Sequence, residues 1–302
     1  MKNVIAYYYQ LFPDDIHQID GQYKFEINQE KFCFVAYERD LKDISNLYEI
    51  ETYLLQNYFY CHLIVLNVSR SYVTYVNGSP YVLLKIFVDG VVQIGFSDVL
   101  MFHSLQLAKD KYFPLIRNQW RQLWSYKIDY FEYQINQFGK KYPLLRDSFS
   151  YFVGVAENCI SLLQNVSLDY VDLVVSHYRI HYNDTLFDFY NPLNFIVDTR
   201  VRDVCEYFND AFFQGVDILN QVIFYLNYVS LTGEEYYLFF VRMLFPSYYF
   251  DLYEDVVLGY ADEECLLDVI GLLPKYEVLL REIYWYIKKF VDLPVIEWLI
   301  KT

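Results

Sequence analysis

An α+β fold in two parts is what this sequence predicts: a mixed, strand-rich part over residues 1–90 and a mainly helical part over residues 91–302. Two observations carry that reading. Before position 90, short β-branched and aromatic runs are punctuated by turn residues and interrupted by one helix-period stretch. After it, apolar residues recur at helical spacing in long stripes, with a single non-helical interval.

In the first part, residues 23–27 and 31–36 are two such runs separated by a polar turn, which predicts a hairpin. The period then changes. Leu41, Ile44, Leu47, Tyr48, Ile50, Leu54 and Leu55 recur at helical spacing over 41–58. Residues 63–68 form an apolar run, and 72–76 alternate before Asn77-Gly78. That dipeptide is the strongest short hairpin signal, because both central residues of a type I′ turn need positive φ. It leads into 81–88, so the expected order is strand, strand, helix, then three strands.

In the second part, a stripe from Leu115 through Trp120, Trp124, Ile128 and Phe131 to Ile135 predicts one long helix. Phe149, Phe152, Ala156, Ile160 and Leu163 predict a second, after a break at 139–143. Val204, Phe208, Phe212, Val216, Val222 and Leu226 predict a third. Thr232 and Glu235 have capping-box spacing, each side chain satisfying the other's orphan amide at a helix start, and Pro246 ends that helix. A last helix is expected over 275–290. Residues 170–198 are the non-helical interval, with strands expected at 170–176 and 194–198.

Composition bounds the function. Of the 302 residues, 55% are hydrophobic, enough for a large core and far from the signature of disorder. The net charge of −15, with no Lys/Arg stripe to reverse it locally, argues against nucleic acid and against an anionic membrane as partners. Cys33, Cys61, Cys159, Cys205 and Cys265 are odd in number and far apart, which reads as buried reduced thiols rather than disulfides or a zinc site. No apolar run is long enough for a membrane span or a signal peptide, so the expectation is a soluble chain that is not exported. With 34 Tyr, many hydroxyls must meet water or an interface.

Ser176-His177-Tyr178-Arg179-Ile180-His181-Tyr182-Asn183-Asp184, followed by Phe195-Ile196-Val197-Asp198, resembles the catalytic loop and metal-binding strand of aminoglycoside and choline kinase-type phosphotransferases. Further segments resemble the YutH/CotS family of kinase-like spore coat proteins. These are Asn46-Leu47-Tyr48-Glu49-Ile50-Glu51, Gln119-Trp120-Arg121-Gln122-Leu123-Trp124, residues 151–158, and Asp198-Thr199-Arg200-Val201-Arg202-Asp203 with the Glu206-Tyr207 that follows. The resemblance implies a two-lobed protein-kinase-like fold, a small β-sheet lobe and a large helical lobe. It also implies a place in the spore coat, reached from the mother-cell cytoplasm, with other spore coat proteins as partners.

Phosphoryl transfer needs a carboxylate near the nucleophile, metal ligands bridging the phosphates, and a lysine on the nucleotide. The resemblance puts Arg179 where the catalytic carboxylate belongs, and a guanidinium cannot act as a base at any usable pH. Asp184 takes the second metal position, as a candidate Mg²⁺ ligand or a turn residue after Asn183. Asp198 matches the metal-binding Asp, as a ligand or a vestigial structural residue. Asp203 is expected to hydrogen-bond the catalytic-loop backbone or to cap the helix after it.

His177 and His181 have i, i+4 spacing, but no HExxH glutamate accompanies them, and His177 reads as a residue holding the loop. His62 beside Cys61 reads as packing. No glycine-rich loop lies between the first two expected strands, where Asn28-Gln29-Glu30 stands, and residues 32–37 lack a lysine; Lys85 comes too late. Glu49 or Glu51 could be the helix glutamate of the family, though a surface role is the expectation for both. The resulting expectation is a pseudokinase without an intact catalytic set or a cofactor. An ATP-dependent small-molecule phosphotransferase using Mg-ATP is the alternative. A His177/His181/Asp198 metal hydrolase is a distant third.

Overall fold

The computed structural model describes residues 1–302 apart from Asp20, Lys109, Asp110, Ser167, Asp169, Tyr170, Lys301 and Thr302. The chain opens with α1 (Lys2–Tyr9) and the short, fully exposed β1 (His17–Ile19), neither expected from the sequence. The helix buries only Ile5 and Tyr9 and the strand buries nothing, so neither writes a periodic pattern. β2 (Gln22–Ile27) and β3 (Glu30–Ala36) form the expected hairpin, with Phe25 opposite Phe32. Asn28 and Gln29 make its turn at φ 51° and 69°, without a glycine.

α2 (Ile44–Gln56) buries Ile44, Leu47, Ile50 and Leu54 on one face, and Glu51 with them. β4 (Leu63–Val65), β5 (Thr74–Val76) and β6 (Ser79–Lys85) follow. The turn between β5 and β6 has Asn77 at φ 50° and Gly78 at φ 85°, the backbone that the dipeptide demands. The sheet is antiparallel in the order β1-β2-β3-β6-β4, with β5 also on β6.

Helix was expected from about residue 91. Instead α3 (Phe96–Val99) and two single 3₁₀ turns precede α4 (Trp120–Phe138), so Leu115 and Ile116 lie ahead of the helix whose stripe they seemed to begin. α5 (Pro143–Leu162) starts on Pro143, whose missing amide is no loss at a first helical position. β7 (Leu173–His177) is the strand expected at 170–176, with Tyr170 outside the described residues. α6 (Leu186–Phe189), capped by Thr185, interrupts what read as loop, and β8 (Phe195–Thr199) pairs with β7.

The third expected helix is two, α7 (Val201–Phe213) and α8 (Leu219–Tyr228), because Gly215 at φ 89° turns the chain between them. α9 (Gly233–Leu244) carries the capping box: Glu235 N–H donates to Thr232 Oγ1 (3.2 Å) and Thr232 N–H to Glu235 Oε2 (2.8 Å). Pro246 does end α9, but α10 (Ser247–Leu258) begins immediately after it. α11 (Cys265–Ile287) starts well before residue 275 and runs through Pro274, and α12 (Glu297–Ile300) closes the described chain. Pro274, on the exposed side of α11, removes one helical hydrogen bond.

Two compact units result: Met1–Ile116 with Val174–Val197, and Arg117–Leu173 with Asp198–Thr302. The strand-rich unit therefore also takes in residues 91–116 and 174–197. Its core packs Ile5 and Tyr9 on Phe25, Phe32, Phe34 and Leu83. In the helical unit, Phe131 stacks on Phe250 (5.1 Å between centroids) and Phe152 on Tyr249 (3.6 Å). All five cysteines are free thiols, four of them buried and Cys265 half-buried. Among the described residues no helix is long and apolar enough to cross a membrane.

Candidate functional site

Within the strand-rich unit, the segment 177–195 is held by backbone partners. His177 ends β7 rather than lying in a loop. Its ring is buried, Nε2–H donates to the Phe189 carbonyl (2.9 Å), and the imidazole stacks on Phe189 at 4.5 Å. Tyr178 N–H donates to the Asn194 carbonyl (2.7 Å), and Arg179 is half-buried next to it. His181 N–H donates to Asp184 Oδ2 (2.7 Å) and Asp184 N–H to the His181 carbonyl (3.1 Å), so the carboxylate closes a turn. Burial pushes the Asp184 carboxyl above its ordinary range, against the pull of that amide. His181 is exposed while His177 is buried against Phe189. Among the described residues no cluster of three or more His, Cys, Asp or Glu is arranged to hold a metal ion.

The sheet face of the same unit is equally committed. Fully buried His62 accepts from Phe87 N–H at Nδ1 (3.1 Å), so Nε2 carries the proton and donates to the Phe187 carbonyl (3.0 Å). Burial lowers its pKa to about 4, which keeps it neutral. His62 N–H also donates to the Tyr190 carbonyl (2.8 Å), so His62, expected only to pack, anchors α6 and its exit. Phe187 is buried, with Lys24 Nζ 4.3 Å from its ring centroid. Arg39 donates to the carbonyls of Leu193 (2.9 Å) and Phe195 (2.7 Å), fixing the entry to β8.

The lysines have partners too. β3 does carry a lysine, Lys31, at the first position of the expected run 31–36 and just ahead of the lysine-free 32–37; it is half-exposed and paired with Asp89 (2.7 Å). Lys85 pairs with Glu30 across the sheet. Of the helix glutamates, Glu49 is exposed and pairs with Lys111 (3.4 Å). Glu51 is not on the surface: it is 4% exposed, and its Oε2 accepts Ile64 N–H at 2.7 Å. The glycine-poor turn Asn28-Gln29 joins the second and third strands; the first two are joined through Gly21, at φ 77°.

In the helical unit, Asp198 is fully buried. Its Oδ2 accepts from Trp120 Nε1–H (3.0 Å) and meets Arg202 Nε (3.2 Å), while Oδ1 accepts from Thr199 N–H (2.7 Å). Burial pushes its carboxyl up to about 6, with Arg202 and Trp120 opposing. Arg202 is the hub. Its guanidinium also reaches Asp203 (3.5 Å) and Glu206 (3.3 Å), and Arg242 caps Glu206 from α9 while lying over Trp120 and Trp124. Asp203 sits inside the first turn of α7 and is buried; the residue before that helix is Arg200, which ties to Glu235 of the capping box. A Mg²⁺ ion at Asp198 Oδ2 would have to displace a guanidinium or an indole N–H, and would meet the Arg202 charge at the same oxygen.

Trp120, Arg202 and Glu206 entered the sequence reading only within a helical stripe or within segments that carry the family resemblance, and neither they nor Arg242 were expected in the site. Asp198, Arg202 and Glu206 stand at i, i+4, i+8, an acid–base–acid spacing that was available to read. Trp120 and Arg242 arrive from distant helices and leave no local signal.

The profile of the family described as “Spore coat putative kinase YutH” matches residues 2–265. The Bacillus subtilis (strain 168) protein “Endospore coat-associated protein YutH” is 26% identical over 169 residues, a match that spans 48% of this chain and 48%, about half, of that relative. An aminoglycoside phosphotransferase from Alicyclobacillus acidocaldarius subsp. acidocaldarius superposes with a TM-score of 0.69 at 11% identity, over 96% of this chain and 97% of that one. The AMP-bound complex of spectinomycin phosphotransferase APH(9)-Ia gives 0.61 at 10%, over 94% and 96%. The amicoumacin kinase hAmiN in complex with AMP-PNP, Ca²⁺ and Ami gives 0.57 at 11%, over 92% and 91%. At such identities the likeness concerns the fold: a small antiparallel sheet lobe and a large helical part, the kinase-like α+β architecture that the sequence resemblance implied.

Proposed function

Because this chain belongs to the spore coat YutH family with its kinase-like fold, we propose that it is a coat-associated pseudokinase, acting in coat assembly or as an interaction component and not in phosphoryl transfer. The observation that carries this reading is the Asp198 carboxylate, buried and occupied by Arg202, Trp120 and the Thr199 amide. Phosphoryl transfer depends on a carboxylate that offers its charge to Mg²⁺; here that charge is neutralised within the fold. Arg179, which the resemblance puts at the position of the catalytic carboxylate, supports the same reading, as does Asp184 closing a backbone turn. These residues do not fit a Mg-nucleotide.

An interaction role agrees with the surface. Tyr126, Tyr130 and Tyr133 stand 64%, 54% and 64% exposed along α4, with Leu123 in line at 43%. Tyrosine combines a large apolar ring with a hydroxyl that tolerates water, which suits residues that wait in solvent and then enter an interface. The partners on this reading are other spore coat proteins, met after synthesis in the mother-cell cytoplasm.

Phosphate release from Mg-ATP tests the proposal. The wild type is expected to show only trace turnover, equal in Asp198→Ala and in the isosteric Asp198→Asn. Turnover well above background that disappears in Asp198→Asn, with the variant still folded, would instead make the chain an ATP-dependent phosphotransferase.

A further inference from the structure

α4 carries two stripes. Trp120, Trp124, Ile128 and Phe131 form the buried one, while Leu123, Tyr126, Tyr130, Tyr133 and Gln137 recur on the exposed side at spacings of 3, 4, 3 and 4. That second spacing is the a/d repeat of a helix that packs along another helix. It runs for two heptads, roughly 20 Å at the helical rise.

The exposed rings are held in place. Gln122 Nε2–H donates to the Tyr126 hydroxyl (3.2 Å) and Gln134 Nε2–H to that of Tyr130 (2.8 Å), which leaves both hydroxyls a proton to donate outward. The seam itself contains no charged residue. α4 carries Arg121 and Lys127 against Asp129 and Glu132, a formal charge of zero in a chain of −15. A strongly basic partner would find no counter-charge on this face, whereas a second copy meets no net repulsion at the contact.

We propose that this face is where a second copy of the chain docks, α4 antiparallel on α4 across a two-fold axis near Ile128, a proposal that rests on the interaction role given above. A two-fold contact must be self-complementary, and this one is. Leu123 meets Tyr133 of the second copy and Tyr126 meets its Tyr130, in four layers. A shift by one heptad leaves two of the four side chains without a seam partner. Each tyrosine brings part of the roughly 150–250 Å² that an aromatic residue buries, and with Gln122, Asp129 and Gln137 alongside the face covers about 700–800 Å² per copy, close to what a specific dimer uses. The Asp129 side chains of the two copies flank the axis, a repulsion that salt screens.

Sedimentation velocity of the full chain at about 1–200 µM is the test. The 36.5 kDa monomer is expected in reversible equilibrium with its dimer, with Kd of about 1–100 µM, tighter at about 300 mM salt than at about 50 mM. Tyr130→Glu is expected to weaken association at least about 10-fold, and Tyr7→Glu, also exposed but in the strand-rich unit, to leave it unchanged. Mixed Leu123→Cys and Tyr133→Cys chains, oxidised with diamide, should link to each other, and neither variant should link to itself beyond the wild type. Four results would overturn the proposal: a chain monomeric throughout, an unchanged Kd in Tyr130→Glu, dimers weakened by salt, or self-linked single variants. A monomer with only trace ATP turnover would end this proposal and leave the pseudokinase reading standing. A dimer that hydrolyses Mg-ATP would do the reverse.

Discussion

Arg202→Met is expected to destabilise the helical unit by about 3–5 kcal/mol, the usual penalty for removing one partner from a buried ion network. The side chain is 8% exposed and is shared by three carboxylates: Asp198 at 3.2 Å, Asp203 at 3.5 Å and Glu206 at 3.3 Å. Without it, the Asp198 carboxyl, already raised to about 6 by burial, is expected to move above neutral pH and take up a proton. Arg202→Lys should rescue little, because one ammonium cannot reach three acceptors that a planar guanidinium meets along different edges. Asp198→Asn on the Arg202→Met background should recover part of the loss, since it removes one of the unpaired charges and leaves an oxygen for Trp120 and Thr199. Urea denaturation of the four proteins measures all of this. A loss below about 1 kcal/mol in Arg202→Met would mean that the network has little energetic weight.

Glu51 provides the second large effect. Burial pushes its carboxyl up to about 8, only partly offset by the Ile64 amide, so it is protonated at neutral pH in the folded chain. The unfolded chain releases that proton near the ordinary glutamate value, from about pH 4.5 upward. Between those limits the folded state holds more protons, and stability falls as pH rises. Glu51 therefore contributes its full stabilisation below about pH 4.5 and loses it as pH climbs through 8, by up to about 1.4 kcal/mol per pH unit. Glu51→Gln removes the titrating group and keeps an acceptor for Ile64 N–H. Urea midpoints at pH 5, 6, 7 and 8 should diverge in favour of the variant by about 2–4 kcal/mol at the upper end. Parallel pH profiles would contradict the assignment of a protonated Glu51. The neighbouring Cys61 thiol is pushed up by burial and by Glu51, so it does not titrate in this window.

These two residues also mark where the sequence stopped being readable. Features that depend on adjacent residues were legible. Asn77-Gly78 specified its turn through the φ values that both positions require, and Thr232 with Glu235 specified a helix start through two local hydrogen bonds. The kinase-like fold was legible through the resemblance of segments that lie in order along the chain. Elements with few core positions were not: α1 contributes Ile5 and Tyr9, β1 contributes none, and α10 hides behind a proline that reads as an end.

Glu51 was expected on the surface because carboxylates usually are. Its burial depends on an amide in β4, which the periodicity of α2 cannot reveal. The Asp198 surroundings divide the same way. Arg202 and Glu206 follow it at helical spacing and could have been found. Trp120, separated from it by 78 positions, reaches it only once α4 is packed.

Isothermal calorimetry of the folded chain with Mg-ATP tests most directly whether the Asp198 carboxylate is withdrawn from metal–nucleotide chemistry. The expected result is no saturable heat up to about 1 mM nucleotide, identical in the wild type and in Asp198→Asn. Saturable binding with Kd below about 100 µM, lost in Asp198→Asn while the variant stays folded, would show that the carboxylate is available to the metal, and the pseudokinase reading would fail.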